Sequence, residues 1–164
     1  MAVTCRQAQP NDFPALGQML ELYQYELSDI LQQDLGADGR YGYDLARHRE
    51  GTRFYAHVAF EADHYAGFAL VAPAAITRTD GSWMEQFFIL KRYRRAGAGR
   101  ALAFHVLNSH PGPWEVGEMP DNATARAFWR KVIAEATAGT FTEMHVTEGS
   151  WQGTVQRFHL GGLA

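Results

Sequence analysis

The stretch Phe88–Leu107, FILKRYRRAGAGRALAFHVL, decides how the chain is read. An apolar strand end runs into a basic cluster, then into Gly97-Ala98-Gly99 at the mouth of an apolar helix. Five of the 15 basic residues (Lys91, Arg92, Arg94, Arg95 and Arg100) fall within this segment of a chain whose net charge is -3. Glycine lets backbone amides approach a ligand and takes dihedrals other residues resist. A helix N-terminus leaves its first N–H groups unpaired and carries partial positive charge. Together with flanking arginines, this is the chemistry of a phosphate or diphosphate site.

Two common phosphate loops do not fit. No Gly-Lys-Ser/Thr follows, as a Walker loop requires. Leu102 stands where a dinucleotide fingerprint would place its third small residue, and no early parallel βαβ unit precedes it. The six residues Arg94-Arg95-Ala96-Gly97-Ala98-Gly99 read Arg-x-x-Gly-x-Gly. That pattern resembles the pyrophosphate-binding loop of the GNAT superfamily of acyl-CoA N-acyltransferases. A second pattern follows one helix and one strand later: Asn122-x-x-Ala125-x-x-Phe128-Trp129-x-Lys131. It resembles the helix that follows this loop in the same superfamily.

Outward from the loop, strand signals occupy Phe54–Phe60, Tyr65–Val71 and Trp83–Leu90, the first two joined by the turn-like Glu61–His64. Trp114–Met119 is a short strand, and Asn122 opens a helix to about Ala136. Thr140–Thr147 and Thr154–Leu160 read as closing strands, and Val3–Ala8 as an opening one. Asn11 or Asp12 can cap a helix with Pro14 in its first turn. In that helix Leu16, Met19, Leu20, Tyr23 and Leu27 recur at helical spacing. Gln32–Tyr43 reads as a loop, with a short helix over Asp44–Glu50. The order of elements is that of a mixed α/β (α+β) domain of about seven strands, and the resemblance implies a mixed, mostly antiparallel sheet. The resemblance adds helices on both faces and a sheet that splays between its fourth and fifth strands. Residues 1–164 are read as one domain.

The resemblance implies an enzyme that passes an acetyl group from acetyl-CoA to a primary amine, by direct attack in a ternary complex. The amine belongs to a small molecule or a peptide. The implied donor site comprises the strand Phe87, Phe88, Ile89 and Leu90 for the pantetheine. Arg94, Arg95, Ala96, Gly97, Ala98, Gly99 and Arg100 take the pyrophosphate, with Asn122, Phe128 and Lys131 on the far side. Glu85 is the implied general base. Alternation along the strand would place Glu85 with Phe87 and Ile89 on one face, and Gln86 with Phe88 on the other. Trp129 stands where many relatives carry a tyrosine that protonates the leaving thiolate; an indole cannot do so. A non-catalytic acyl-CoA-binding sensor or scaffold is the alternative reading.

The acceptor side is expected from the first helix, the Gln32–Tyr43 loop and the last strands. Its residues Tyr23, Tyr25, Glu26, Asp29, Asp34, Asp38, Tyr41 and Tyr43 suit a cationic amine. The seven histidines are dispersed along the chain and form no metal motif, so no metal is expected. Cys5 is the only cysteine, which excludes an internal disulfide. The acidic balance argues against nucleic-acid or anionic-membrane partners. No signal peptide or membrane span is read, so the expected setting is cytoplasmic. Homodimer formation is left open.

Overall fold

The computed structural model describes residues 2–161. In chain order the elements are β1 (Val3–Gln7), α1 (Phe13–Leu31), α2 (Ala46–Glu50), β2 (Tyr55–Glu61), β3 (His64–Pro73) and β4 (Ser82–Ile89). They continue with α3 (Ala98–Ser109), β5 (Gly112–Glu118), α4 (Ala123–Thr137), β6 (Thr142–Val146) and β7 (Gly153–Leu160). The seven strands form one sheet in the order β1-β2-β3-β4-β5-β7-β6. Every adjacent pair is antiparallel except β4 and β5.

The helices cover both faces, as the apolar periodicities require. Phe13, Leu16, Met19 and Leu20 of α1 pack on Val58, Phe68, Leu70 and Phe88. Leu102, Val106 and Leu107 of α3 and Trp129, Val132 and Ile133 of α4 pack on the other face, against Ala69, Val71, Met84, Trp114 and Val116. The first helix runs farther than its apolar stripe suggests. It ends where Gln32 turns left-handed (φ 51°) and its amide donates to the Ser28 carbonyl. Asp12 precedes α1 but does not cap it through its side chain. Its carboxylate instead accepts from Arg6 (2.6 and 3.1 Å), the Gln9 amide (2.7 Å) and the Tyr65 hydroxyl (2.6 Å).

Strands β4 and β5 pair only at Ser82↔Trp114 and Trp83↔Glu115. Beyond those residues β4 stays with β3 to Ile89, and β5 stays with β7 to Glu118. The facing edges of the two strands therefore part in mid-sheet. One carboxylate braces the closed end of this opening. Glu115, with no exposed surface, accepts from the amides of Ala75, Ile76 and Thr77 (2.9, 2.7 and 2.8 Å) and from the Thr77 hydroxyl (2.7 Å).

A bulge in β4 corrects the expected alternation. Leu70 pairs with Gln86 and Val71 with Met84, so Glu85 is the extra residue without a partner across the ladder. Such an insertion turns the inserted side chain onto the face of its neighbour. Glu85 lies with Gln86 and Phe88 on the α1 face, and Phe87 and Ile89 lie on the α3 face.

Candidate active site

The loop between β4 and α3 holds two left-handed residues, Arg95 (φ 64°) and Gly97 (φ 87°). Alternating hand in successive residues turns their N–H groups toward one side and makes an anion-binding concavity. Backbone bonds run from Tyr93 to Leu90 and from Arg94 to Lys91, and resume with Ala101 to Gly97. Among the described hydrogen bonds, the six amides from Arg95 to Arg100 have no acceptor. They open the 12-residue helix α3, so the macrodipole adds to their pull on an anion. A Cβ on Gly99 would stand 3.3 Å from Phe128 and 3.7 Å from Ile89, so the bare backbone lets α3 approach α4 and β4 closely.

The expected site residues do not all point at this concavity. The Arg94 guanidinium donates to the Ile89 carbonyl (2.7 Å) and to Glu26 (2.8 Å), and lies over the Phe88 ring. It braces the loop against β4 and α1. Arg100 is paired with Glu135 of α4. Lys91, Arg92 and Arg95 are exposed and enter no described ion pair, which leaves them as the cations free to meet a phosphate. Phe87 packs against Phe128 and Trp129, while Phe88 is buried against Tyr23 and Phe68. Ile89 is buried and Leu90 half-buried, so it is the backbone of β4, not these side chains, that borders the opening. Ala96 is exposed and Ala98 buried. The Asn122 side chain accepts from the Ala125 amide (3.2 Å), the bond of an ordinary helix cap. Lys131 is exposed, one turn before Glu135. Trp129 is only 4 % exposed and packs edge-on against Phe87 as part of the core.

Around Glu85 the structure assembles groups far apart in sequence. Oε1 accepts from the Tyr43 hydroxyl (2.7 Å) and Arg47 (3.1 Å), and Oε2 lies 2.6 Å from His48 Nε2. Burial alone would push the Glu85 carboxyl up. The hydrogen bonds from His48 and Tyr43 and the charges of His48 and Arg47 outweigh it and hold the pKa below the usual value. Tyr43 is raised in turn, by burial first and then by Glu85. On the same face, Trp83 and Trp151 meet edge to face at 5.3 Å, and both indoles close over Gly117, where a Cβ would stand 2.5 Å from one and 2.6 Å from the other.

Several expected acceptor residues are occupied elsewhere. Tyr23 is half-buried, packed against Phe68 and Phe88, its hydroxyl pushed to about 12 by burial. Glu26 holds Arg94. The histidines, scattered in sequence, are partly gathered in space: His57 lies 3.1 Å from His105 and 2.8 Å from His110, in a chain between β2 and α3. Burial and its two neighbours lower His57 to about 3. Arg47 and His48 carry no local signature, and Tyr43 is expected only on the acceptor side; the fold brings all three to Glu85.

The sequence matches the profile of the Acetyltransferase (GNAT) family over residues 18–133. The chain belongs to that family. Its fold is shared with solved structures at low identity. One is the ribosomal-protein-alanine N-acetyltransferase of Brucella melitensis, at 20% identity and TM-score 0.64, covering 96% of this chain and 99% of that one. Another is yncA of Salmonella typhimurium with its cofactor acetyl-CoA, at 17% identity and TM-score 0.67, covering 100% and 97%. A third is the paia N-acetyltransferase of Thermoplasma acidophilum in complex with coenzyme A, at 13% identity and TM-score 0.65, covering 97% and 99%. A search of the curated proteins by sequence finds no match. Family membership assigns the chain to acetyl transfer in general. Among the described residues, no helix is long and apolar enough to cross a membrane.

Proposed function

We propose that the protein is an N-acetyltransferase that moves the acetyl group of acetyl-CoA to a primary amine by direct attack. The observation that carries this reading is the run of unpartnered amides from Arg95 to Arg100 beside the parting of β4 and β5. The amides and the neighbouring Lys91, Arg92 and Arg95 suit a diphosphate. The free edge of β4 from Glu85 to Ile89 suits an extended amide chain such as pantetheine, with Asn122 and Phe128 approaching from α4. Fixed backbone donors along that edge also suit the oxyanion that develops on a thioester carbonyl.

Glu85 takes the proton of the incoming ammonium, freeing the nitrogen lone pair. The C–N bond then forms and the C–S bond breaks, and the thiolate leaves. With Trp129 in the core, this chain offers no tyrosine at that position to protonate it. A thiol pKa of about 8.5 lets the thiolate leave unassisted at neutral pH. Catalysis then rests on positioning and on one proton transfer. A cytoplasmic setting accords with the lone Cys5.

The test is release of free thiol from acetyl-CoA in the presence of a panel of primary amines. Turnover that depends on an amine and falls about 10²-fold or more in Glu85→Gln supports the reading. Binding of CoA without turnover of any amine would instead identify a sensor or scaffold.

A further inference from the structure

The donors around Glu85 differ in how easily they leave. His48, on Oε2, has a fully buried side chain. Tyr43, on Oε1 at 2.7 Å, is held in the partly buried loop that Glu21 anchors by accepting from the amides of Tyr41 (2.7 Å) and Gly42 (3.0 Å). Arg47, also on Oε1, makes the longest contact at 3.1 Å, and its side chain is 60% exposed. It leans on the Phe54 ring at 4.9 Å and can turn into solvent without breaking a packed core. An ammonium approaching Glu85 brings the same charge to the same oxygen. Oε1 already accepts two bonds, which fills its lone-pair sites, so an approaching ammonium competes for the place of the more loosely held donor.

Within the cleft next to Tyr43, the displaced guanidinium finds no free acid. The cleft of about 380 Å³ next to Tyr43 is lined by Arg40 and Arg49, and neither enters a described ion pair. Its one acid, Glu21, is already bound to the two amides. Asp44 is turned onto the Ala46 amide (2.9 Å). This cleft therefore carries two unpaired arginines and one engaged acid, whereas the loop's composition suggests an acidic acceptor side.

We infer that the acceptor is an amine carrying a carboxylate or phosphate a few bonds from its nitrogen, whose ammonium displaces Arg47 from Glu85 and whose anion Arg47 then binds. This rests on the reading of Glu85 as the group that receives the acceptor's ammonium. Arg47 thus occupies the acceptor's subsite until a ligand replaces both halves of the ion pair. A simple cation gains Glu85 but strands Arg47. A zwitterion gives each charge a partner, and a guanidinium can hold the anion in a two-pronged bond. Carboxylate and phosphate share this chemistry, and paired probes separate them.

The experiment is calorimetric titration of the protein saturated with CoA, using β-alanine against β-alaninamide and phosphoethanolamine against ethanolamine, with amine-dependent thiol release measured in parallel. The anionic member of at least one pair is expected to bind about tenfold tighter or more, roughly the value of one good charge-assisted contact. Arg47→Ala should bring that ratio close to one and tighten the neutral member, because the resident competitor is gone. Arg47→Lys should keep part of the preference. A merely structural Arg47 would weaken both members alike. Equal binding within both pairs, a ratio unchanged in Arg47→Ala, or no binding of any probe overturns the inference. Amine transfer without an anionic preference would sink it while leaving the acetyltransferase reading intact. Anionic preference without transfer would do the opposite.

Discussion

His48 Nε2 stands 2.6 Å from Glu85 Oε2, with the imidazole wholly buried and its Nδ1 without a partner. In this geometry the ring donates its Nε2–H to the Glu85 carboxylate. His48 is thereby a positioning residue, fixing the rotamer of Glu85 and holding its pKa down. In His48→Phe, which keeps a ring but removes the donor, burial of Glu85 loses its main counterweight and the carboxyl pKa rises. The acidic limb of kcat/KM should move to higher pH, since Glu85 must be ionised to take a proton. A carbon-13 titration of the Glu85 carboxyl reads the same shift without turnover. An unmoved titration would remove His48 from this role.

Gly97 sits at φ 87° with open space around its missing side chain, so substitution there strains only the backbone. A β-branched residue is an outlier in that region, at a cost of order 1–3 kcal/mol. The loop in Gly97→Val should relax by turning an amide away from the concavity. Gly99→Leu acts differently, by pushing on Phe128. Both should raise the Kd for CoA at least about tenfold by calorimetry. Wild-type affinity in either variant argues against the loop as the diphosphate site.

Glu115 uses both oxygens on four donors in a site without solvent. In Glu115→Gln one oxygen becomes an NH₂ that faces at least one buried N–H, which cannot accept. We expect a loss of about 2–4 kcal/mol in chemical denaturation, the cost of leaving buried donors unpaired. A change below about 0.5 kcal/mol would mean that the Ala75–Thr77 segment is not held by this carboxylate.

The Glu118 carboxyl is pushed up to about 7, chiefly by burial against the opposing hydrogen bond from Gln156 (2.8 Å). Below an unfolded value near 4.5 it is protonated in both states and contributes fully. As pH rises toward 7 the unfolded chain ionises first, so folding stability declines across that window. Glu118→Gln keeps an acceptor for Gln156 and cannot ionise. It should raise the Tm at pH 8 by more than at pH 4.5, a differential of about 1–2 kcal/mol. Equal effects at both pH values would mean that folding does not raise the Glu118 pKa.

The proposed donor loop is legible in one dimension because its residues are local. Arg94 to Gly99 are consecutive, and the strand and helix flanking them announce themselves by period. The fold followed from the same patterns, and its bounds moved by only a few residues at most ends. The catalytic face was not legible, for two physical reasons. The bulge at Glu85 is an insertion in register that only the pairing of Leu70 with Gln86 and Val71 with Met84 reveals. The partners of Glu85 come from 37 to 42 residues upstream, from the end of the acceptor-side loop and the short helix α2, with no pattern in sequence that ties them to Glu85. Arg94 and Glu26 each bore an expected role, but they meet each other across 68 residues. Composition predicted the charges and not their pairing.

The most direct measurement is a nitrogen-15 NMR titration of the amide groups with CoA. The amides from Arg95 to Arg100, together with those of β4 beyond Glu85, should show the largest shifts, and those of β1 and β6 should stay still. If CoA binds and those six amides do not move, or if the shifts centre elsewhere on the sheet, the assignment of the donor site is wrong.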